Sequence, residues 1–328
     1  MARATSLSLL LAGLLLFGSG GPEAGRAPAS HAASDRPAGT LVFTTGTNRL
    51  TAIDVATGRR TVRRIAAVAA CGPQLYVTAG RLVFAGVRDG VTVVFSVPVT
   101  LDEPPTRLGP AHAFVPSATP GRVWLAGVDC DRGAMAGVRE VTVAGRTVQE
   151  SNRSVPGTWL EAAVPSGLVV VLSRDLVVWN PVTGETGSPL GLDAVSDTHG
   201  GRLAGCAADT NCRGLVIEDA ATARQVEADT RREVDLGGRF SPDGALVAAP
   251  VRSGRRWRIA LVDSRTGKLT MVTGSRTRHY PELAWAESSG WLFARTGSRR
   301  MMAYRPGLPR ALTLPFRAPR GALSYVAG

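Results

Sequence analysis

The sequence predicts an all-β protein, a seven-bladed β-propeller closed by the C-terminal strand pairing into the first blade. Three observations carry this. First, glycine (38) and proline (21) are plentiful and aromatics make up only 5% of the 328 residues, which suits short strands and tight turns. Second, the element "strand, then D-x-x-T-G" recurs as AIDVATGRR at Asp54, VWNPVTGET at Asn180, IEDAATARQ at Asp219 and LVDSRTGKL at Asp263. The intervals are about forty residues or a multiple of that, a propeller period. EVTVAGRTV at Thr142 is a shortened copy, and weaker copies fit near Ser96 and Tyr304. Third, an apolar run follows a turn glycine at Gly39, Gly80, Gly121, Gly167, Gly201, Gly244 and Gly290, so an independent marker also counts seven units.

One unit can be read strand by strand in SPDGALVAAPVRSGRRWRIALVDSRTG, residues 241–267. Strand a, the innermost, ends near Ser241, and SPDG turns the chain. ALVAAPV is strand b, RSGRR a hairpin loop, RWRIALVD strand c, DSRTG a second turn, and KLTMV strand d. Glycine takes positive φ without a Cβ clash, and aspartate bonds the backbone of the turn it opens. Strands b and c are apolar almost throughout, as strands covered on both faces must be. The chain enters at strand b of the first blade, Leu41 to Thr45, and ends in GALSYVAG. Ala322 to Val326 therefore supplies the missing strand a and removes an open sheet edge.

Residues 1–25 are expected to be a signal peptide and 26–38 a flexible linker, leaving 39–328 as the propeller. Arg3 precedes an apolar run from Leu7 to Phe17, too short to span a bilayer. Cleavage after Gly20, Ala24 or Ala32 is compatible with the sequence, and an uncleaved anchor is the alternative. No cysteine follows the apolar run, which argues against a lipid anchor, and no other segment has transmembrane length. The expected location is secreted or extracytoplasmic, at the cell envelope, with the protein a monomer.

SPDG before strand b resembles the TolB-type and WD-repeat (WD40-like) propellers, and LYVTAG at Leu75 to Gly80 is similar to the surface-layer YVTN propellers. AIDVATGRR is similar to the pyrroloquinoline-quinone repeat, without the tryptophan that repeat places just beyond. The resemblance covers residue 39 to the C-terminus and is one of architecture. It implies an exported bacterial protein that binds partners; some such propellers are enzymes.

The four cysteines lie in the part expected to be exported, where an even count favours disulfides. Cys206 and Cys212 flank a hairpin of blade 5 and are expected to pair. Cys71, expected to open strand a of blade 2, and Cys130, in the b–c loop of blade 3, fall on one face of adjacent blades and make the second pair. No cofactor and no metal are expected. Asp129 and Asp131 of DCDRG are too few oxygens for Ca²⁺, and no catalytic motif such as G-x-S-x-G, H-E-x-x-H or a P-loop occurs. His112 and His279 precede strand a of blades 3 and 7, and His199 lies in an a–b turn on the other face. Streptogramin-type lyases, which are propellers with a histidine base, keep His112 or His279 as the base of an alternative lyase or hydrolase reading at the central funnel. A structural surface-layer component is a third reading. Asn152 of NRS fits a glycosylation acceptor. The six tryptophans read as packing between blades, with Trp159 and Trp285 near the channel.

The net charge is +12, and Lys268 is the only lysine. An arginine-rich chain can reflect a GC-rich genome. The distribution is more specific. In a meandering blade the b–c loops and d–a connections share one end of the ring, here the upper face. The upper loops of blades 5 to 7 carry Arg252, Arg255, Arg256, Arg276, Arg278, Arg299 and Arg300, the candidate binding residues. Arg213, Arg231, Arg232, Arg317 and Arg320 extend them. Guanidinium groups match phosphate and carboxylate in a fork geometry. The expected function is therefore a binding scaffold whose basic face engages an anionic envelope polymer or protein partner. Nucleic acid is not the expected partner, because an exported protein seldom meets it and aromatics are not expected to interleave with the arginines.

Overall fold

The computed structural model describes residues 36–44, 49–65, 75–129, 134–207, 214–228, 238–286, 290–297, 299–319 and 322–326. Over these the chain forms seven four-stranded antiparallel sheets. The first joins β1 (Thr40–Thr44), β2 (Arg49–Asp54) and β3 (Arg60–Arg64) to the last strand, β28 (Ala322–Val326). Blade 2 is β4 (Leu75–Thr78), β5 (Arg81–Arg88), β6 (Val91–Pro98) and β7 (Thr106–Pro110). Blade 3 is β8 (Ala113–Pro116), β9 (Arg122–Asp129), β10 (Ala134–Thr142) and β11 (Thr147–Ser151). Blade 4 is β12 (Trp159–Val164), β13 (Gly167–Leu172), β14 (Asp175–Trp179) and β15 (Thr186–Pro189). Blade 5 is β16 (Leu192–His199), β17 (Arg202–Ala207), β18 (Leu215–Asp219) and β19 (Gln225–Glu227). Blade 6 is β20 (Arg239–Phe240), β21 (Leu246–Ser253), β22 (Arg256–Asp263) and β23 (Leu269–Met271). Blade 7 is β24 (Glu282–Trp285), β25 (Leu292–Arg295), β26 (Arg300–Tyr304) and β27 (Leu312–Arg317). The fold is the seven-bladed propeller, and none of its described elements is a helix able to cross a membrane.

The innermost strands β28, β4, β8, β12, β16, β20 and β24 contact one another in turn and close a ring around the axis. Between blades the b and c strands meet face to face. The interface of blades 3 and 4 gathers Trp124, Met135, Leu160, Val170 and Trp179, and that of blades 7 and 1 gathers Phe43, Ile53, Trp291 and Phe293. These side chains are almost wholly removed from water. Burial of this kind is the main stabilising term of an all-β protein without long local contacts.

The c–d turns are built the same way in four blades. Asp54, Asp219 and Asp263 each accept, through Oδ1, the backbone N–H and the hydroxyl of the threonine three residues on. Asn180 takes the same position and accepts the N–H groups of Val182 and Thr183. A backbone bond back to the Asp or Asn carbonyl closes each turn at Gly58, Gly184, Ala223 and Gly267. In SPDG, the Ser241 hydroxyl donates to Asp243 Oδ1 at 2.6 Å and accepts the Leu246 N–H at 2.9 Å.

The closing strand pairs antiparallel with β1: Leu41 faces Tyr325, Val42 faces Ser324 and Phe43 faces Leu323. Glu282 of blade 7 pins the closing strand by accepting the Leu323 N–H on Oε2 at 2.9 Å. Its other oxygen pairs with Arg295.

Several details depart from the sequence reading. His199 is the last residue of β16 rather than a turn residue, because that inner strand runs long. Trp291 lies just before β25. Trp124, Trp179, Trp285 and Trp291 are buried, and Trp159 packs against the blade 3–4 core. Trp257 is only partly buried, because its strand carries it past the packed interface to the upper face.

Candidate functional site

The upper face of blade 6 is shaped by one short cross-connection. The β21–β22 hairpin turns at Gly254, whose φ of 60° demands a residue without Cβ strain. Past the hairpin, Trp257 exchanges two backbone hydrogen bonds with Thr277 of the d–a connection, at 2.8 and 2.9 Å. This bridge lays the tripeptide R-W-R (256–258) alongside R-T-R (276–278). Trp257 carries the Arg252 guanidinium over its ring at 5.8 Å and meets Tyr280 edge-on at 5.1 Å. Tyr280 is 37% exposed. Arg252, Arg255, Arg276 and Arg278 are exposed and Arg256 is half-buried.

Blade 7 continues the arc. Arg299 has a φ of 61° and donates through Nε to Ala318 O at 3.0 Å. Arg300 stands directly opposite Arg317 across β26 and β27. Like charges facing each other across a sheet are destabilising unless an anion lies between them. No acidic residue occurs in 252–256, 272–281, 296–300 or 315–320. Among the described residues, none of the ion pairs joins Arg255, Arg256, Arg276 or Arg278 to a carboxylate. Arg213, Arg231, Arg232 and Arg320 lie outside the described residues.

The structure thus places the seven candidate arginines, exposed or half-exposed, at the upper end of two adjacent blades: Arg252, Arg256 and Arg300 at strand ends, the other four on loops. It adds Trp257, Arg258 and Tyr280, which the sequence reading did not include. The expectation that no aromatic interleaves with the arginines does not hold even along the chain, where Trp257 sits between Arg256 and Arg258. The Trp257–Thr277 bridge interleaves them in space.

A second polar cluster lies in the channel. Tyr76 of β4 faces Val83, Asp197 of β16 faces Ala204, and Arg239 of β20 faces Ala248. Each facing residue is the third of its blade's strand b, so the three side chains leave the inner strands at one level. Glu161 joins them from a bulge in β12, where Leu160 and Ala162 face the consecutive residues Val170 and Val169 and Glu161 has no partner. β16 carries a like irregularity between Val195 and Asp197. Gly205 permits it, since a Cβ there would lie 2.1 Å from Ala194 O. Bulges of this kind re-aim side chains.

Tyr76 feels the charges of Arg239, Glu161 and Asp197, which belong to blades 6, 4 and 5. Groups on such separated blades reach one another only across the channel. Burial pushes the Tyr76 phenol up to about 12. Burial also raises the Asp197 carboxyl, against the pull of Arg239 and the Phe240 N–H, which donates to Oδ2 at 2.7 Å. Burial alone raises the Glu161 carboxyl. Arg239 is fixed by donation to Ser196 O, and its own carbonyl accepts from Trp285 Nε1 at 2.9 Å. Departures from strand pairing mark β12 at Glu161 and β16 before Asp197, while Tyr76 and Arg239 lie in regular ladders.

The remaining candidates are dispersed. His112 sits before β8, with its ring Nδ1 buried and unpartnered, while His279 is exposed beside Gly297 on blade 7. They share no site. Among the described residues no group of three His, Cys, Asp or Glu side chains is placed to hold a metal. Cys206 is buried near the end of β17, and no described cysteine is free. Cys71, Cys130 and Cys212 lie outside the described residues. Asn152 is exposed beyond β11.

No family model matches the sequence, and no curated protein matches it. Solved structures resemble its shape. One is the crystal structure of a functionally unknown protein from Desulfotomaculum acetoxidans, with a TM-score of 0.54, 10% identity, and coverage of 88% of this chain and 99% of that one. Another is the dihydro-heme d1 dehydrogenase NirN in complex with DHE, with a TM-score of 0.50, 14% identity, and coverage of 88% of this chain and 66% of that one. At such identities the likeness is one of fold.

Proposed function

We propose that this protein is an exported propeller scaffold whose upper face binds a polyanion of the cell envelope, either an anionic polymer or an acidic protein. The observation that carries the reading is the R-W-R and R-T-R pair, laced together by Trp257 and Thr277, with no acidic residue in 252–258 or 272–281. Arg252 over the Trp257–Tyr280 pair, with Arg256, Arg258, Arg276 and Arg278 on the two segments the bridge joins, offers forked donors to phosphate or carboxylate. The opposed Arg300 and Arg317 extend the same field. Export rests on the N-terminal apolar run, and in that compartment Cys206 pairs with Cys212 and Cys71 with Cys130. The catalytic alternative, with His112 or His279 as base, has less support, because the His112 Nδ1 is buried without a partner and His279 stands exposed beside Gly297. The similarity to a dehydrogenase is too distant in sequence to bring that activity here.

The test is a pull-down of the full chain against its own envelope fraction at about 0.05 M and about 0.5 M salt, where screening lengths differ about threefold. A variant with Arg252, Arg255, Arg256, Arg299 and Arg300 changed to serine runs in parallel. Retention at low salt, lost at high salt and in the variant, is the expected result. Equal retention of both proteins refutes the reading. Added DNA that competes as well as the envelope fraction would make the face a general polyanion binder.

A further inference from the structure

We propose that the belt of Tyr76, Glu161, Asp197 and Arg239 is a separate binding site in the central channel, for a small organic cation that offers an ammonium or guanidinium group to Glu161. Four blades contribute to it at one level of the inner ring. Two carboxylates face one guanidinium, so the belt carries a carboxylate in excess. The arrangement assigns that excess to Glu161. Asp197 is answered by Arg239, whose charge draws on it, and by the Phe240 N–H. Arg239 is held in place by Ser196 O. No donor among the described residues answers Glu161, whose carboxyl experiences burial alone.

A desolvated carboxylate without a donor is costly to keep, and a donor-rich cation relieves that cost. Tyr76 stands within electrostatic reach across the channel, its ring packed edge-on against Phe114 at 5.5 Å. An anion would meet Glu161 and Asp197 unfavourably, and a neutral polar ligand would leave the excess charge in place. The site is distinct from the upper arginines: it lies on the inner strands, and its excess charge is of opposite sign to theirs.

The test is calorimetric titration of the full chain with agmatine, which has an ammonium and a guanidinium end, with n-butanol as the neutral control. Glu161→Gln keeps the size of the side chain and removes its charge. It is expected to weaken agmatine binding by about tenfold or more, while its thermal midpoint stays at or above that of the parent, since a desolvated charge is gone. Asp197→Asn is expected to weaken binding less, because Arg239 already answers Asp197. Unchanged affinity in Glu161→Gln overturns the proposal. So does failure of agmatine to bind the parent protein, or equal binding of butanol. If Glu161→Gln does not fold, Glu161→Asp, with a shortened reach, is expected to show the same loss, and full affinity there overturns the proposal.

Discussion

Ala223 stands where three other blades place a glycine. Its φ is 56°, against 72°, 80° and 72° at Gly58, Gly184 and Gly267, and all four close a D/N-x-x-T turn. A left-handed alanine costs about 1–2 kcal/mol, partly offset by the extra chain entropy that glycine loses on folding. Ala223→Gly is therefore expected to stabilise the protein by about 0.5–1 kcal/mol, read from a denaturant midpoint. Gly267→Ala should behave oppositely, because its Cβ would lie 2.0 Å from Glu227 O. A loss of roughly 2–4 kcal/mol is expected there. The same turns set acid sensitivity. The Thr57, Thr222 and Thr266 hydroxyls hold the carboxyls of Asp54, Asp219 and Asp263 below the ordinary range, and the Ser241 hydroxyl does so for Asp243. A lowered folded value means stability that is present above the unfolded value of about 3.9 and lost as pH falls through the folded one. Replacing Asp54, Asp219 and Asp263 with asparagine, the residue already used at 180, should make the acid limb of stability against pH shallower. Glu161, Asp197 and Glu218 act in the other sense: burial raises each, so the contribution they make at low pH declines as pH rises through their folded values.

At the scale of elements, β28 matters most, because it alone joins the two ends of the chain. Its five residues pair in register with Thr40 to Thr44, and Glu282 holds it from blade 7. Without it β1 becomes a bare inner edge, open to pairing with another chain. A chain ended after Arg320 is expected to have a thermal midpoint lower by about 10 °C or more, and to elute from size-exclusion chromatography partly as oligomers. An unchanged midpoint and a monomeric peak would show that the strand is dispensable. The bulges in β12 and β16 are the other decisive elements. They interrupt the inner ladders where Glu161 and Asp197 turn to the channel.

Over the whole molecule, arginine stands at both ends of the ring: Arg59, Arg224 and Arg265 lie in the lower c–d turns, and the upper stretches of blades 6 and 7 differ in carrying no acid. The chain carries +12 overall, with an acid-free arginine arc on blades 6 and 7. Among the described residues, the belt on the inner strands sets Glu161 and Asp197 against Arg239. The arc is chiefly exposed, so the arginine-to-serine variants of its loops should shift stability by no more than about 0.5 kcal/mol each while changing binding. Arg299 is the exception to watch, since its side chain also bonds Ala318 O. Loss of binding with an unchanged unfolding midpoint would separate the arc's role from folding.

The sequence by itself determined the blade count, the turn chemistry and the closing strand. Each is written locally: D-x-x-T-G makes its own hydrogen bonds, a turn glycine announces each strand b, and period-long spacing repeats the unit. It also marked the loops that bear the arginines, because loop membership follows from strand order. Only the tertiary structure decided what those loops form together. Trp257 and Thr277 are twenty residues apart and become partners because the d–a connection folds back over β22. Tyr76, Glu161, Asp197 and Arg239 have no common motif. They meet because closing a ring brings the same level of separate blades to one axis, and because a bulge, which leaves no mark in composition, turns Glu161 out of its ladder.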